Sequence, residues 1–285
     1  MSVFSRLIRL SRALKHPTLH KKPLLMRSVW ITLCCFLILG LRADAAQIGY
    51  PGPLLLRQVR VPILMYHYIS DPPPGSDKYR VDLSVPPDKF AAQLHWLKDN
   101  GYQTIAPDDL YAALVGGRKL PDHPILLTFD DGYVDAYANA YPILQKYGFT
   151  GTFFLVTGFI DEGRPGFLNW DQVKEMSDAG MAMQNHSREH LDMRNRDHDW
   201  LVYQILGPEE TIEAHTGIRP RFFCYPSGGF DDATIRELSA AGVVLAFTEI
   251  DGVYSYSDDP LRLPRVRIRN STDLPTFIQL LNWDR

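Results

Sequence analysis

From residue 61 onward, short apolar runs alternate with stretches of helical periodicity. The runs at 61–66, 102–105, 125–129, 152–156, 181–184, 221–224, 244–247 and 262–268 predict strands. Between them, 87–100 places Phe90, Leu94 and Leu97 on one helical face and is stopped by Gly101. Further helices are predicted at 107–115, at 133–147 (closed by Gly148), at 231–241 and at 274–282. Asn169, with Gln172 three residues on, caps a helix to Ala179. The helix predicted over 201–215 is interrupted near Gly207-Pro208. Repeated β-then-α units predict an α/β fold with a parallel sheet or barrel, its site at the C-terminal ends of the strands. Residues 46–60 read as a linker to a single domain over 61–285.

The N-terminus breaks this pattern. Residues 1–45 carry eight Lys/Arg and one acid, and an apolar run of 13 residues follows the basic stretch. That run is short for a membrane span, which needs ~20 residues. Ala43-Asp44-Ala45 follows it as a cleavage signal, so 1–45 predict an export signal, or a membrane anchor if uncleaved. The remaining 240 residues hold 22 basic and 32 acidic side chains, a net charge of −10, which argues against a nucleic-acid partner. Cys224 is the one cysteine after the signal, so no internal disulfide is expected there. Oligomeric state is not legible.

Four polar stretches interrupt or end the apolar runs. Leu126-Leu127-Thr128-Phe129-Asp130-Asp131-Gly132 ends a strand in two adjacent carboxylates. Neighbours on a strand face opposite ways, and paired acids raise each other's pKa, so a nearby cation is the simplest reason to tolerate them. The bland alternative is that Asp131 caps the following helix. In Asn185-His186-Ser187-Arg188-Glu189-His190, two histidines four apart can grip one ion, or stand as surface residues on a polar loop. Phe222–Phe230, with Pro226 and Gly228-Gly229, is a turn that can present backbone N–H groups to an oxyanion, or an ordinary βα loop. His67 ends the first strand, where a lone histidine is more often structural than catalytic.

Together these stretches resemble the polysaccharide deacetylase family, the NodB-homology or carbohydrate esterase family 4 domain, over about residues 61–282. Thr128–Gly132 is similar to the family's first motif and His186-Ser187-x-x-His190 to its second. The resemblance implies a distorted (β/α) barrel in which Asp130 is the catalytic base. It implies a divalent metal, zinc the expected ion, on Asp131, His186 and His190. Tyr225-Pro226-Ser227-Gly228 resembles the third motif, whose backbone amide in the oxyanion hole falls on Ser227. Two positions depart from the family pattern. Cys224 stands where the third motif commonly carries a base-orienting arginine, with Arg265 the candidate replacement and Arg221 the alternative. No Leu-x-x-His follows His215; Leu64-Met65-Tyr66-His67 supplies it at the start of the domain, making His67 the candidate acid. This looks like the circularly permuted arrangement of exported poly-N-acetylglucosamine deacetylases. The implied activity is metal-dependent removal of N-acetyl groups from a polysaccharide. The alternatives are an O-acetyl esterase on xylan or another glycan, and a non-catalytic glycan-binding barrel. Tyr68, Tyr133, Trp170, Tyr225 and Phe230 are candidate sugar contacts, with packing around the barrel rim as the competing expectation.

Overall fold

A computed structural model describes residues 56–283. The expected export signal and residues 46–55 of the expected linker lie outside the described residues. The strands are β1 (Gln58–Arg60), β2 (Ile63–Tyr66), β3 (Gln103–Thr104), β4 (Pro124–Phe129), β5 (Thr152–Leu155), β6 (Ala182–Asn185), β7 (Phe222–Cys224), β8 (Leu245–Asp251), β9 (Tyr254–Tyr256) and β10 (Leu263–Arg267). The helices are α1 (Lys78–Asp82), α2 (Pro87–Asp99), α3 (Pro107–Gly116), α4 (Tyr141–Tyr147), α5 (Thr157–Asp161), α6 (Trp170–Asp178), α7 (His198–Thr216), α8 (Asp232–Ala241) and α9 (Leu274–Leu281).

Seven parallel strands close into a ring in the order β2-β10-β8-β7-β6-β5-β4, with β4 pairing back to β2. The strands are short and nearly all buried, because a parallel sheet inside a helical shell is covered on both faces. Alternate residues divide between two cores. Ile63, Leu126, Phe154, Phe222, Leu245, Phe247 and Leu263 fill the barrel, while Leu64, Tyr66, Leu127, Phe129 and Phe153 pack outward against helices. A third cluster joins Phe223, Tyr225 and Ala246 to Leu201, Ile205 and Leu238 of α7 and α8. The first and last ring strands are neighbours, so β2 joins the ring beside β10.

Several local expectations change. Gln58–Arg60, placed in the linker, instead pair antiparallel with Tyr254–Tyr256. The helix predicted at 133–147 contains a wider π-helical turn at Ala136–Ala140 before α4. Pro142 lacks the N–H for a regular α bond and its ring crowds the preceding turn, which the wider turn relieves. Conversely, α7 runs unbroken through Pro208, because Leu201, Ile205, Pro208 and Ile212 form one buried stripe that offsets the lost bond. Asp197 caps it, its carboxylate accepting from Trp200 N at 2.9 Å, which starts the helix three residues early. Among the described residues, no helix is long and apolar enough to cross a membrane.

Candidate functional site

The two carboxylates that end β4 reach one pocket because the chain turns sharply between them. Asp131 (φ 75°) and Gly132 (φ 78°) are consecutive left-handed residues, which breaks the strand alternation. An added Cβ at Gly132 would come within 3.3 Å of Leu155.

Asp130 continues the inward face of Leu126 and Thr128 and is 3% exposed. Arg265 on β10, wholly buried, grips it with two bonds of 2.8 Å, one to each oxygen. The other guanidinium donors are also used. Nη1 donates to Thr128 Oγ1 at 3.0 Å, Nε to the Thr248 carbonyl at 2.8 Å, and Nη2 lies 3.1 Å from Cys224 Sγ. Cys224 is small enough to leave the volume that this guanidinium occupies. Arg221, the alternative, sits elsewhere and pairs with Asp108 at 3.1 Å. Burial pushes Asp130 up, but the charge and hydrogen bonds of Arg265 prevail and hold it below its ordinary pKa. His67 Nε2 stands 4.0 Å from Asp130 Oδ2, and its buried Nδ1 has no hydrogen-bond partner. Burial lowers its pKa against the pull of Asp130 and Asp131, with help from Arg265 and Arg267.

Asp131 faces the histidine pair. Its Oδ1 lies 3.2 Å from His186 Nε2 and 3.1 Å from His190 Nε2, yet makes no hydrogen bond of proper geometry to either. His186 Nδ1 is 2.8 Å from the Cys224 carbonyl, which only accepts. In the neutral ring Nδ1 therefore carries the proton, and Nε2 turns a lone pair toward the carboxylate. Burial pushes Asp131 up, but when the imidazoles beside it are protonated, their N–H groups and charge hold it well below its usual range, the same pull a cation between them would exert. Three donor atoms so spaced fit a shared cation: ligands at 2.0–2.2 Å from a tetrahedral zinc stand about 3.3 Å apart. Asp130, His186 and Cys224 also have donor atoms within 4.8 Å of one another, but Asp130 is already held at both oxygens by Arg265.

The loop that carries the histidines is strapped to α7. Gln204 Oε1 accepts from Arg188 N and Glu189 N at 3.1 and 3.0 Å, and Asn185 Nδ2 donates to the Ile205 carbonyl at 2.8 Å. Ser187 and His190 are both left-handed (φ 65° and 56°), and Ser187 Oγ accepts from His190 N at 3.0 Å. Ser227 is left-handed too (φ 51°) and sits in the short turn Pro226–Gly228 beyond β7.

The aromatic candidates divide. Tyr68 and Tyr133 border the site, but they stack on each other at 3.7 Å, and the Arg80 guanidinium lies 3.4 Å over Tyr68, so both faces of Tyr68 are taken. Trp170 lies flat on His215 at 4.1 Å, with Nε1 donating to Asp161. Tyr225, expected as a sugar contact, is instead a core residue. It is 1% exposed, stacks on Phe230 at 4.5 Å and donates its hydroxyl to the Leu261 carbonyl. Two residues that sequence reasoning missed are Glu249 and Arg267, an ion pair at 2.5 Å on β8 and β10. Alternation from Arg265 would have found Arg267, whereas the register shift on β8 beyond Phe247 hides Glu249 from the same rule.

The family model for polysaccharide deacetylase matches residues 117–246. The chain is 31% identical over 212 residues to "Putative polysaccharide deacetylase YxkH" of Bacillus subtilis (strain 168), covering 74% of this chain and 72% of that one. It is 26% identical over 238 residues to the poly-beta-1,6-N-acetyl-D-glucosamine N-deacetylase of Escherichia coli (strain K12), covering 69% of this chain but only 35% of that protein. Among solved structures it is similar to a Streptococcus pyogenes deacetylase in complex with acetate, at 30% identity and a TM-score of 0.73, over 79% of this chain and 99% of that one.

Proposed function

The chain belongs to the polysaccharide deacetylase family, and from that premise we propose that it is a metal-dependent hydrolase removing N-acetyl groups from an N-acetylhexosamine polymer. The observation that supports this most is Asp131 Oδ1 flanked by two imidazole nitrogens at 3.1 and 3.2 Å, beside a second carboxylate clamped by Arg265. Asp131, His186 and His190 would hold the divalent cation, and their oxygen and nitrogen donors suit zinc. When bound, that cation supplies a Lewis acid that polarises the acetyl carbonyl and acidifies water.

The remaining steps fall to the chain's own groups. Asp130, kept ionised by Arg265, takes the proton of the attacking water. The water oxygen bonds to the acetyl carbon, and the Ser227 N–H donates to the carbonyl oxygen as it gains charge. His67 then gives a proton to the sugar nitrogen as the C–N bond breaks, leaving acetate and a free amine. Burial lowers the His67 pKa, which makes its protonated form a strong donor to a departing amine. A non-catalytic glycan-binding barrel would give no reason for Arg265 to clamp Asp130.

The E. coli relative's name supports a poly-N-acetylglucosamine substrate. Residues 1–45, read as an export signal, would bring the domain to such a polymer outside the cytoplasm; N-terminal sequencing of the mature protein tests this. Acetate release from poly-β-1,6-N-acetylglucosamine, chitin oligomers, peptidoglycan and acetylated xylan tests the activity. Release from amino-sugar polymers is expected, and release from acetylated xylan alone would replace this reading with an O-acetyl esterase.

A further inference from the structure

Side chains that point into a barrel recur at every second residue of each strand. On β10 the inward residue that clamps Asp130 is Arg265; Arg267 is the next on that face, ~7 Å nearer the mouth. On β8, Phe247 fills the barrel, and beyond it the register against β10 shifts, Phe247 pairing with Leu263 but Asp251 with Arg265, so that Glu249 sits in the irregular stretch facing Arg267. The two meet at 2.5 Å, Arg267 Nη2 to Glu249 Oε2. Unlike the wholly buried Arg265, their side chains are 19% and 32% exposed, open to a molecule at the mouth. Glu249 packs against Gly228, where an added Cβ would come 3.0 Å from its Cβ and Cγ, so it borders Ser227. Arg267 pairs with Met65 across β10 and β2, which places it two residues along from His67 on the neighbouring strand. The pair thus lies along the rim between the candidate oxyanion donor and the candidate acid, with no part in the chemistry derived above.

We propose that Glu249 and Arg267 recognise the hydroxyl groups of the sugar that carries the reacting acetyl group. Each sugar hydroxyl both donates and accepts. A carboxylate offers acceptors only and a guanidinium donors only, so the preassembled pair meets neighbouring hydroxyls with both at fixed spacing. Desolvation offsets much of the attraction in a partly buried ion pair, so structural strength alone is a weak reason for it. Stacking on two of the candidate aromatics is closed off, since both faces of Tyr68 are covered and Tyr225 is buried, which raises the share of the sugar's orientation that polar contacts carry.

This inference rests on the hexosamine reading, and its test separates the two. Steady-state kinetics would compare a soluble N-acetylglucosamine oligomer with 4-nitrophenyl acetate, which has an acetyl group but no sugar. Glu249→Gln and Arg267→Gln should each raise KM for the oligomer roughly tenfold and lower the oligomer-to-ester ratio of kcat/KM by about as much. A reversed pair, Glu249→Arg with Arg267→Glu, restores an ion pair but exchanges donor for acceptor, and should show the same fall. A ratio that stays within about twofold of wild type in the single variants overturns the proposal. Recovery of the ratio in the reversed pair also overturns it, making the pair a strut. Failure of the hexosamine reading looks different: the wild-type protein would cleave the ester and release no acetate from the oligomer.

Discussion

The floor and the mouth of this barrel are built by the same strand faces, yet they obey different rules. At the floor, Ile63, Leu126, Phe222, Leu245 and Leu263 are buried and need only shape and volume. Further along the same faces come Asp130, His186, Arg265 and His67, also buried, each of which must find a partner or bear a desolvation cost. Arg265 shows how strict that is, with Asp130, Thr128, the Thr248 carbonyl and Cys224 sharing its donors. A buried pair of this kind is a poor way to gain stability compared with apolar residues of the same volume, so its place is explained by chemistry.

Substitutions at the two ends should separate activity from stability. Asp130→Asn removes the base but keeps its volume; kcat/KM for acetate release should fall by roughly 10²–10⁴ while bound metal is unchanged. Arg265→Met leaves Asp130 buried and uncompensated, and should cost about 3–5 kcal/mol in denaturant unfolding. It should also shift the pH profile. Arg265 holds Asp130 below its ordinary pKa, so losing it raises that value, and the acidic limb of kcat/KM moves to higher pH. Leu126→Ala at the floor should cost about 2–5 kcal/mol yet leave kcat/KM per folded molecule near wild type.

The smallest effect is expected far from both ends. Glu209 on α7 is buried beside Arg219 at 3.0 Å, and burial pushes its pKa from 4.5 to about 7 despite that partner. The folded protein therefore keeps this proton up to about pH 7, while the unfolded chain releases it near 4.5. Its contribution to stability is full below the lower value and is lost as pH rises through the upper one. Glu209→Gln should flatten that loss and raise Tm at pH 8 by about 2–4 °C, with little change at pH 5.

The same contrast explains what could be read in advance. Apolar runs located every strand of the ring, because parallel strands are buried throughout. The four chemical stretches stood out as polar residues where apolar ones should continue. Other features needed the folded chain. The pairing of Gln58–Arg60 with Tyr254–Tyr256 joins segments about 200 residues apart, beyond any local pattern. Pro142 signalled a disturbed helix but not that a π turn would absorb it. Pro208 pointed to a break that the buried stripe of α7 overrides. Tyr225 and Trp170 could not be assigned to core or surface, since which face of an aromatic ring is covered depends on residues distant in sequence, Phe230 being local but His215 not. The closing of Arg265 onto Asp130 was an expectation from a vacant motif position, and its geometry depends on the small side chain at Cys224.

The central claim is that Asp131, His186 and His190 hold a cation beside a base that does not bind it. Metal analysis of the full-length wild type, Asp130→Asn and His186→Ala addresses this directly. One divalent ion per chain is expected in the first two and almost none in the third. A wild-type protein without a bound divalent ion, or a His186→Ala variant that keeps its full complement, would contradict the account.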